Sequence, residues 1–236
     1  KNNVSILNDY PEVGCAGGII ENVYENESAE TIGLAMSSAF GVGNAHFRTG
    51  SKNGFVDTVA FGAYRNEVFE KIGYFDEDLI RNQDDEFNFR LLKNGFKIYL
   101  NSNIKSKYYV RASFSKLYKQ YYQYGYWKVY VNKKHKAVTS IRQLVPLFFV
   151  LFLFLGLTLS FLHWVLGTLF SLGVLAYMVL AIVFASQKSN SFKKMIGITY
   201  TFFLLHFSYG LGYLVGIFDF IALNKGPRNS SQKLTR

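Results

Sequence analysis

The C-terminal part of the chain is patterned by long apolar runs. No residue between Gln143 and Gln187 is charged. A helix that crosses a bilayer needs about 20 apolar residues, so this stretch predicts two spans, at about residues 144–162 and 164–185. Pro146 near the start and Trp164 at the turn suit membrane boundaries. A third apolar run, Met195 to Leu223, carries His206, Asp219 and the glycines Gly197, Gly210, Gly212 and Gly216. It predicts a further membrane segment at about residues 199–223, one that either crosses or is broken within the membrane.

Before these runs the signals are shorter and mixed. Residues 1–10 read as the tail of a helix, and Pro11 then leads into a strand from Val13 to Ala16. The segment ESAETIGLAMSSAF is helical and GVGNAHFRTGSKNG is a loop. Phe55 to Phe61 is apolar and β-branched, so it predicts a strand. Asn66 is placed to cap a short helix that Gly73 ends. Another helix is predicted from about Asp84 to Leu92, with Lys93 in its last turn and Asn94-Gly95 closing it. Two strand-like runs follow, FKIYL (96–100) and Ile104 to Val110. In ASFSKLYKQYYQYGYWKVYV, aromatics at Phe114, Tyr118, Tyr122 and Tyr126 recur every four residues, which lines one face of a helix. Lysines interleave them, so the spacing predicts an amphipathic helix at the membrane surface.

Charge divides the 236 residues in the same way. Residues 1–100 hold 9 Lys+Arg against 15 Asp+Glu, and residues 101–142 hold 10 Lys+Arg and no acid. The expected layout is therefore a globular part at 1–110, a basic-aromatic collar at 111–142, membrane segments to 224, and a basic tail carrying Lys225, Arg228, Lys233 and Arg236. Basic residues flank the first two spans at Lys128, Lys133, Lys134, Lys136, Arg142, Lys188, Lys193 and Lys194. The positive-inside rule puts them, and the globular part before them, on the cytoplasmic side. A collar directly before a span suits anionic lipid rather than nucleic acid. One cysteine, Cys15, forms no internal bridge, so no oxidising compartment is required.

The densest chemistry is Asp84-Asp85-Glu86 in RNQDDEFNFRLLKNGF. At a helix start, backbone N–H groups and the dipole stabilise a carboxylate. Held there beside a loop, Asp84 is a candidate general base. The competing reading is a helix cap followed by solvated acids. Asp76, Glu77 and Asp78 lack the Gly and closing Glu of a calcium loop, and no Cys/His group has zinc spacing.

The run VDTVAFGAYRNEVFEKIGYFDEDLIRNQDDEFNFRLLKNGFKIYLN, with GVGNAHFRTG before it and QYYQYGYWK after it, resembles the acceptor half of glycosyltransferase family 2. In particular it is similar to the membrane-bound, succinoglycan-biosynthesis type. The resemblance implies an α/β fold, the acceptor half of a GT-A mixed sandwich, followed by two or three transmembrane helices. It implies an inverting transfer from a nucleotide sugar to a membrane-associated, lipid-linked or glycan acceptor in polysaccharide biosynthesis. Asp84 takes the place of the family's base, with Gln83 where many members have Glu, and Asp85 falls where the motif varies. Asp57, Gly62, Arg65, Asp85 and Glu86 are the expected substrate contacts nearby. Gln123 and Trp127 match a Gln-x-x-Arg-Trp element in which Tyr126 replaces Arg. The family's divalent metal, Mg or Mn, and its Asp-x-Asp ligands belong to a donor-binding half expected upstream of Lys1, so no metal ligand is assigned here. A non-catalytic membrane assembly or transport subunit is the alternative from another class, and intramembrane charge limited to Asp219 weighs against transport.

Overall fold

The computed structural model describes residues 2–50, 52–139 and 141–232. Lys233 and Arg236 of the expected basic tail lie outside the described residues, as does Lys1. The strands are β1 (Val13–Val23), β2 (Gly54–Val56), β3 (Ala60–Tyr64) and β4 (Lys97–Tyr109). The helices begin with α1 (Asn2–Asp9), α2 (Glu27–Met36), α3 (Ala39–Val42), α4 (His46–Thr49), α5 (Asn66–Ile72) and α6 (Gln83–Lys93). They continue as α7 (Phe114–His135), α8 (Leu144–Ser160), α9 (Trp164–Ser186), α10 (Phe192–Gly216, extended by a π-turn over Ile217–Ala222) and α11 (Asn229–Gln232). The chain divides into two units, Lys1–Tyr24 with Asn44–Val110, and Glu25–Gly43 with Arg111–Arg236. The helical segment after β1 thus groups with the C-terminal half, not with the sheet it follows in sequence.

The first unit is a mixed four-stranded sheet in the order β2-β4-β1-β3. β1 runs parallel to β4 and antiparallel to β3, and β2 pairs antiparallel with β4. The apolar run expected as one strand over 55–61 is split. Phe55 and Val56 pair beside Tyr99 and Ile98, whereas Ala60, Ala63 and Tyr64 pair beside β1. The two runs expected at 96–100 and 104–110 are one strand, β4, with a register shift after Asn101. Polar Asn101-Ser102-Asn103 masked that continuity. Asn53 Oδ1 accepts from the Ser102 N–H at 2.6 Å and Asn101 Oδ1 from the Asn103 N–H at 2.9 Å, so side chains take up donors that the ladder leaves there. Gly18 sits opposite the bulge, where any Cβ would overlap the Ile104 carbonyl. Behind the sheet, Cys15, Val59, Val68, Phe87, Leu91, Ile98 and Leu100 close a core under α5 and α6.

In the second unit, α8 and α9 form the expected hairpin, and the His163 ring accepts from the Val165 N–H at 3.2 Å to cap α9. The collar helix α7 is not an isolated surface helix. It packs along α10, burying Gln123, Gly125, Tyr126, Trp127 and Val129. Lys128, expected at the lipid surface, is 4% exposed. The reason is backbone proximity: a Cβ on Gly125 would overlap the Tyr209 carbonyl, and one on Gly212 would overlap that of Tyr122. Small residues at such crossings let helix backbones approach closely. Gly125→Leu is therefore expected to force α7 and α10 apart and to lower the melting temperature of the detergent-solubilised protein. Overpacking of this kind costs about 1–3 kcal/mol or more. An unchanged melting temperature would mean that the two helices are not tightly apposed in solution.

Candidate active site

Helix α6 opens at an unusual turn. Asn82, at its N-cap, has φ 65°, in the left-handed region that Asn tolerates better than most residues. The chain thereby enters the helix with Gln83, Asp84 and Asp85 in the first turn. Asp84 is exposed, and its Oδ1 accepts from the Asp85 N–H at 2.9 Å. Such an N–H and the dipole at a helix N-terminus both stabilise a carboxylate. Gln83 turns back and donates to the Leu79 carbonyl at 2.7 Å.

Two sets of contacts hold this turn in place. Glu86, 1% exposed, takes the guanidinium of Arg90 on both oxygens, at 2.6 and 2.9 Å. Arg90 also donates to the carbonyls of Ile72 and Tyr74, at 2.5 and 2.8 Å, which ties α6 to the end of α5. Asn88 supplies the second set: its Nδ2 donates to Thr58 Oγ1 at 2.9 Å and its Oδ1 accepts from Tyr64 OH at 3.0 Å. Burial foremost, then the charges of Cys15 and Asp84, push the Tyr64 phenol up, which keeps it a proton donor. Phe87 stacks on Phe75 at 4.5 Å between ring centres and meets Tyr64 edge-on at 5.0 Å.

The expected contact residues separate into distinct environments. Asp57 is exposed next to Thr58, so the Asn88 bridge brings its loop to α6. Asp85 is half-buried behind Asp84. Gly62 lies against Cys15, where a Cβ would come within 2.5 Å of the sulfur, and its role in the fold is close packing. Arg65, expected to face substrate, is turned inward. It donates to the carbonyls of Val13 at 2.7 Å, Tyr10 at 3.1 Å and Leu7, clamping α1 to the sheet. Glu86 is likewise engaged by Arg90 and not presented outward. Gln123 and Trp127 lie on α7 in the second unit, buried, with Trp127 Nε1 donating to the Ser231 carbonyl at 3.0 Å and Gln123 Nε2 to the same oxygen at 3.4 Å. Asn88 and Tyr64 were not among the expected residues. The signal for Asn88 was one polar residue between Phe87 and Phe89, four positions after Asp84, since a buried amide requires partners.

Among the described residues, no three His, Cys, Asp or Glu side chains gather to hold a metal ion. The divalent metal expected for the family is therefore not assigned to these residues. Cys15 is fully buried, and burial pushes its thiol up to about 12. It is expected to resist iodoacetamide at pH 8 in the folded protein and to react once the protein is denatured, because the thiolate is the nucleophile. Alkylation at equal rates in both states would contradict this burial.

The profile described as glycosyl transferase family group 2 matches residues 10–186. A dolichyl N-acetyl-alpha-D-glucosaminyl phosphate 3-beta-D-2,3-diacetamido-2,3-dideoxy-beta-D-glucuronosyltransferase of Methanococcus voltae is 38% identical over 130 residues, 53% of this chain and 40% of that protein. The succinoglycan biosynthesis protein ExoA of Rhizobium meliloti (strain 1021) is 26% identical over 187 residues, 79% of this chain and 56% of that protein. The chain thus spans about half the length of the curated relatives it matches.

Proposed function

The chain belongs to glycosyl transferase family group 2, and from that premise we propose that it supplies the acceptor half of an enzyme that moves a sugar from a nucleotide sugar to a lipid-linked acceptor in polysaccharide biosynthesis. One observation carries the reading: Asp84 is exposed on the first turn of α6, and the residues beneath it, Glu86, Asn88 and Phe87, are pinned. A base must be held in place and still be reached by its substrate.

Asp84 takes the proton of the acceptor hydroxyl as that oxygen forms its bond to the anomeric carbon. On the opposite side the bond to the nucleotide diphosphate breaks, its electron pair leaving with the phosphate oxygen, so the configuration inverts. Asp57 and Asp85 are proposed to accept hydrogen bonds from other acceptor hydroxyls. Gln123 and Trp127 are proposed as substrate contacts. A divalent ion in this family would offset charge on the leaving diphosphate; the described residues are not assigned to it. Two points support the lipid-linked acceptor. A relative is named for a dolichyl phosphate-linked substrate, and three helices here are long and apolar enough to cross a membrane. The excess of Lys and Arg beside α8 and α9 supports a multi-pass protein of the cell membrane with its globular part on the cytoplasmic side.

The test is transfer of labelled sugar from a panel of nucleotide sugars into a lipid extract by membranes carrying the protein, alongside a flux assay. Transfer without flux is expected. Flux without transfer would favour a transport subunit instead.

A further inference from the structure

We infer that α10, although long and apolar enough to cross a membrane, lies in the plane of the membrane surface, so that this part of the chain crosses the bilayer twice, through α8 and α9 alone. The argument starts from the two ends of α10. At its beginning, Lys193 and Lys194 pair with Glu27 and Glu30 of α2 at 2.9 and 2.6 Å, and Gly197 abuts Thr31. At its end, Lys133 of α7 donates to the Phe220 carbonyl at 2.8 Å and to Asn224 Oδ1 at 2.6 Å, and Tyr126 OH donates to Asp219 at 3.0 Å. Both α2 and α7 precede the first crossing, and no candidate span lies between them among the described residues. They share one side of the membrane, so the two ends of α10 share it as well.

The middle of α10 agrees. From Phe114 against Tyr200 to Val129 against Gly216, α7 accompanies α10 along its length. α7 carries Lys116, Lys119, Lys133 and Lys134 at exposed positions. Were α10 to cross, these ammonium groups would be drawn through hydrocarbon, where charged side chains are rare and costly. α10 instead meets the hairpin at Pro146, Phe149, Val150 and Phe154 of α8 and at Tyr177 of α9. The distal turns, including Leu157, Leu162, Trp164, Leu169 and Leu172, are exposed as membrane-spanning residues would be. The face of α10 away from α7 presents Phe192, Ile196, Phe218 and Ile221, all exposed, with Phe207 half-buried between them. An apolar stripe on one face with a polar partner on the other is the pattern of a helix seated in the interface. The partner for this surface is the acyl region just below the lipid headgroups. Arg228, after α10, then stays on the side of α7, bound to Asp219 through Nη2 at 2.7 Å. This placement also keeps Lys225 and Arg228 on the side that the positive-inside rule gives to basic residues, and it does not depend on the sugar-transfer reading.

The experiment uses the full chain in sealed vesicles of both orientations, with one cysteine reporter per variant: Lys134→Cys, Leu162→Cys or Lys225→Cys. Buried Cys15 stays in place, and the protein without a reporter is the blank. An impermeant maleimide is expected to label positions 134 and 225 in the same vesicle orientation and position 162 in the other. Labelling of 225 together with 162 would overturn the inference. Nitroxides at Ile196→Cys, Phe207→Cys and Phe218→Cys provide a second measurement, read by oxygen and nickel accessibility. Equal shallow depth at all three is expected, and a Phe207 reporter at the bilayer centre would overturn it.

Discussion

An Asp84→Asn protein is expected to transfer sugar about 10²–10⁴-fold more slowly than the parent, the range typical of losing a general base. Asn is nearly isosteric with Asp and serves as well in the first turn of a helix. Its amide oxygen can still accept from the Asp85 N–H, as the Asp84 carboxylate does. The fold should therefore be untouched, and the melting temperature should stay within a degree or so of the parent. What the amide cannot do is take a proton from the acceptor hydroxyl. The loss should fall on turnover and not on the apparent KM for the nucleotide sugar, because Asp84 belongs to the acceptor half. Asp85→Asn is the companion measurement. Its side chain is less exposed and stands behind Asp84, so it should cost far less. If Asp84→Asn keeps more than about a tenth of wild-type turnover, the base lies elsewhere, and a large loss at Asp85 instead would name it.

Much of this site was readable from residue types, and the unread parts have specific physical causes. The first turn of α6 was visible because acids cluster at a helix start and Asn94-Gly95 closes its far end. The inward direction of Arg65 was not, since its partners are the carbonyls of Val13, Tyr10 and Leu7, and backbone acceptors leave no mark on a sequence. The same holds for the burial of Lys128 and its neighbours on α7. An aromatic residue every fourth position reads identically whether the stripe meets lipid or another helix. Gly125 hinted at close approach, but the Tyr209 carbonyl that it meets lies 84 residues away. In the sheet, β4 was divided in two because its bulge is polar, while β2 and β3 were fused because Val56 to Phe61 is largely apolar. The apolar content of α10 was plain, but its direction across the hairpin depends on pairings with α2 and α7 that periodicity does not encode.

Glu86 separates a framework residue from a substrate contact, and Glu86→Ala is expected to destabilise the protein strongly. The carboxylate is 1% exposed and holds Arg90 with two hydrogen bonds, while the Arg90 side chain is 20% exposed. Removing one partner of a buried pair leaves the other charge uncompensated and costs about 3–5 kcal/mol. Because Arg90 reaches some solvent and keeps the carbonyls of Ile72 and Tyr74, the loss should sit near the lower end of that range. Glu86→Gln retains one acceptor for the guanidinium and should lose less. Pairing the change with Arg90→Met gives a cycle in which the double variant should be less damaged than the sum of the two single variants. Thermal unfolding of the detergent-solubilised protein measures all four. At a temperature where Glu86→Gln is fully folded, its transfer rate should remain within a few fold of the parent, since the residue acts through the position of α6. A Glu86→Gln protein of unchanged stability that has lost transfer would instead put this carboxylate in contact with substrate.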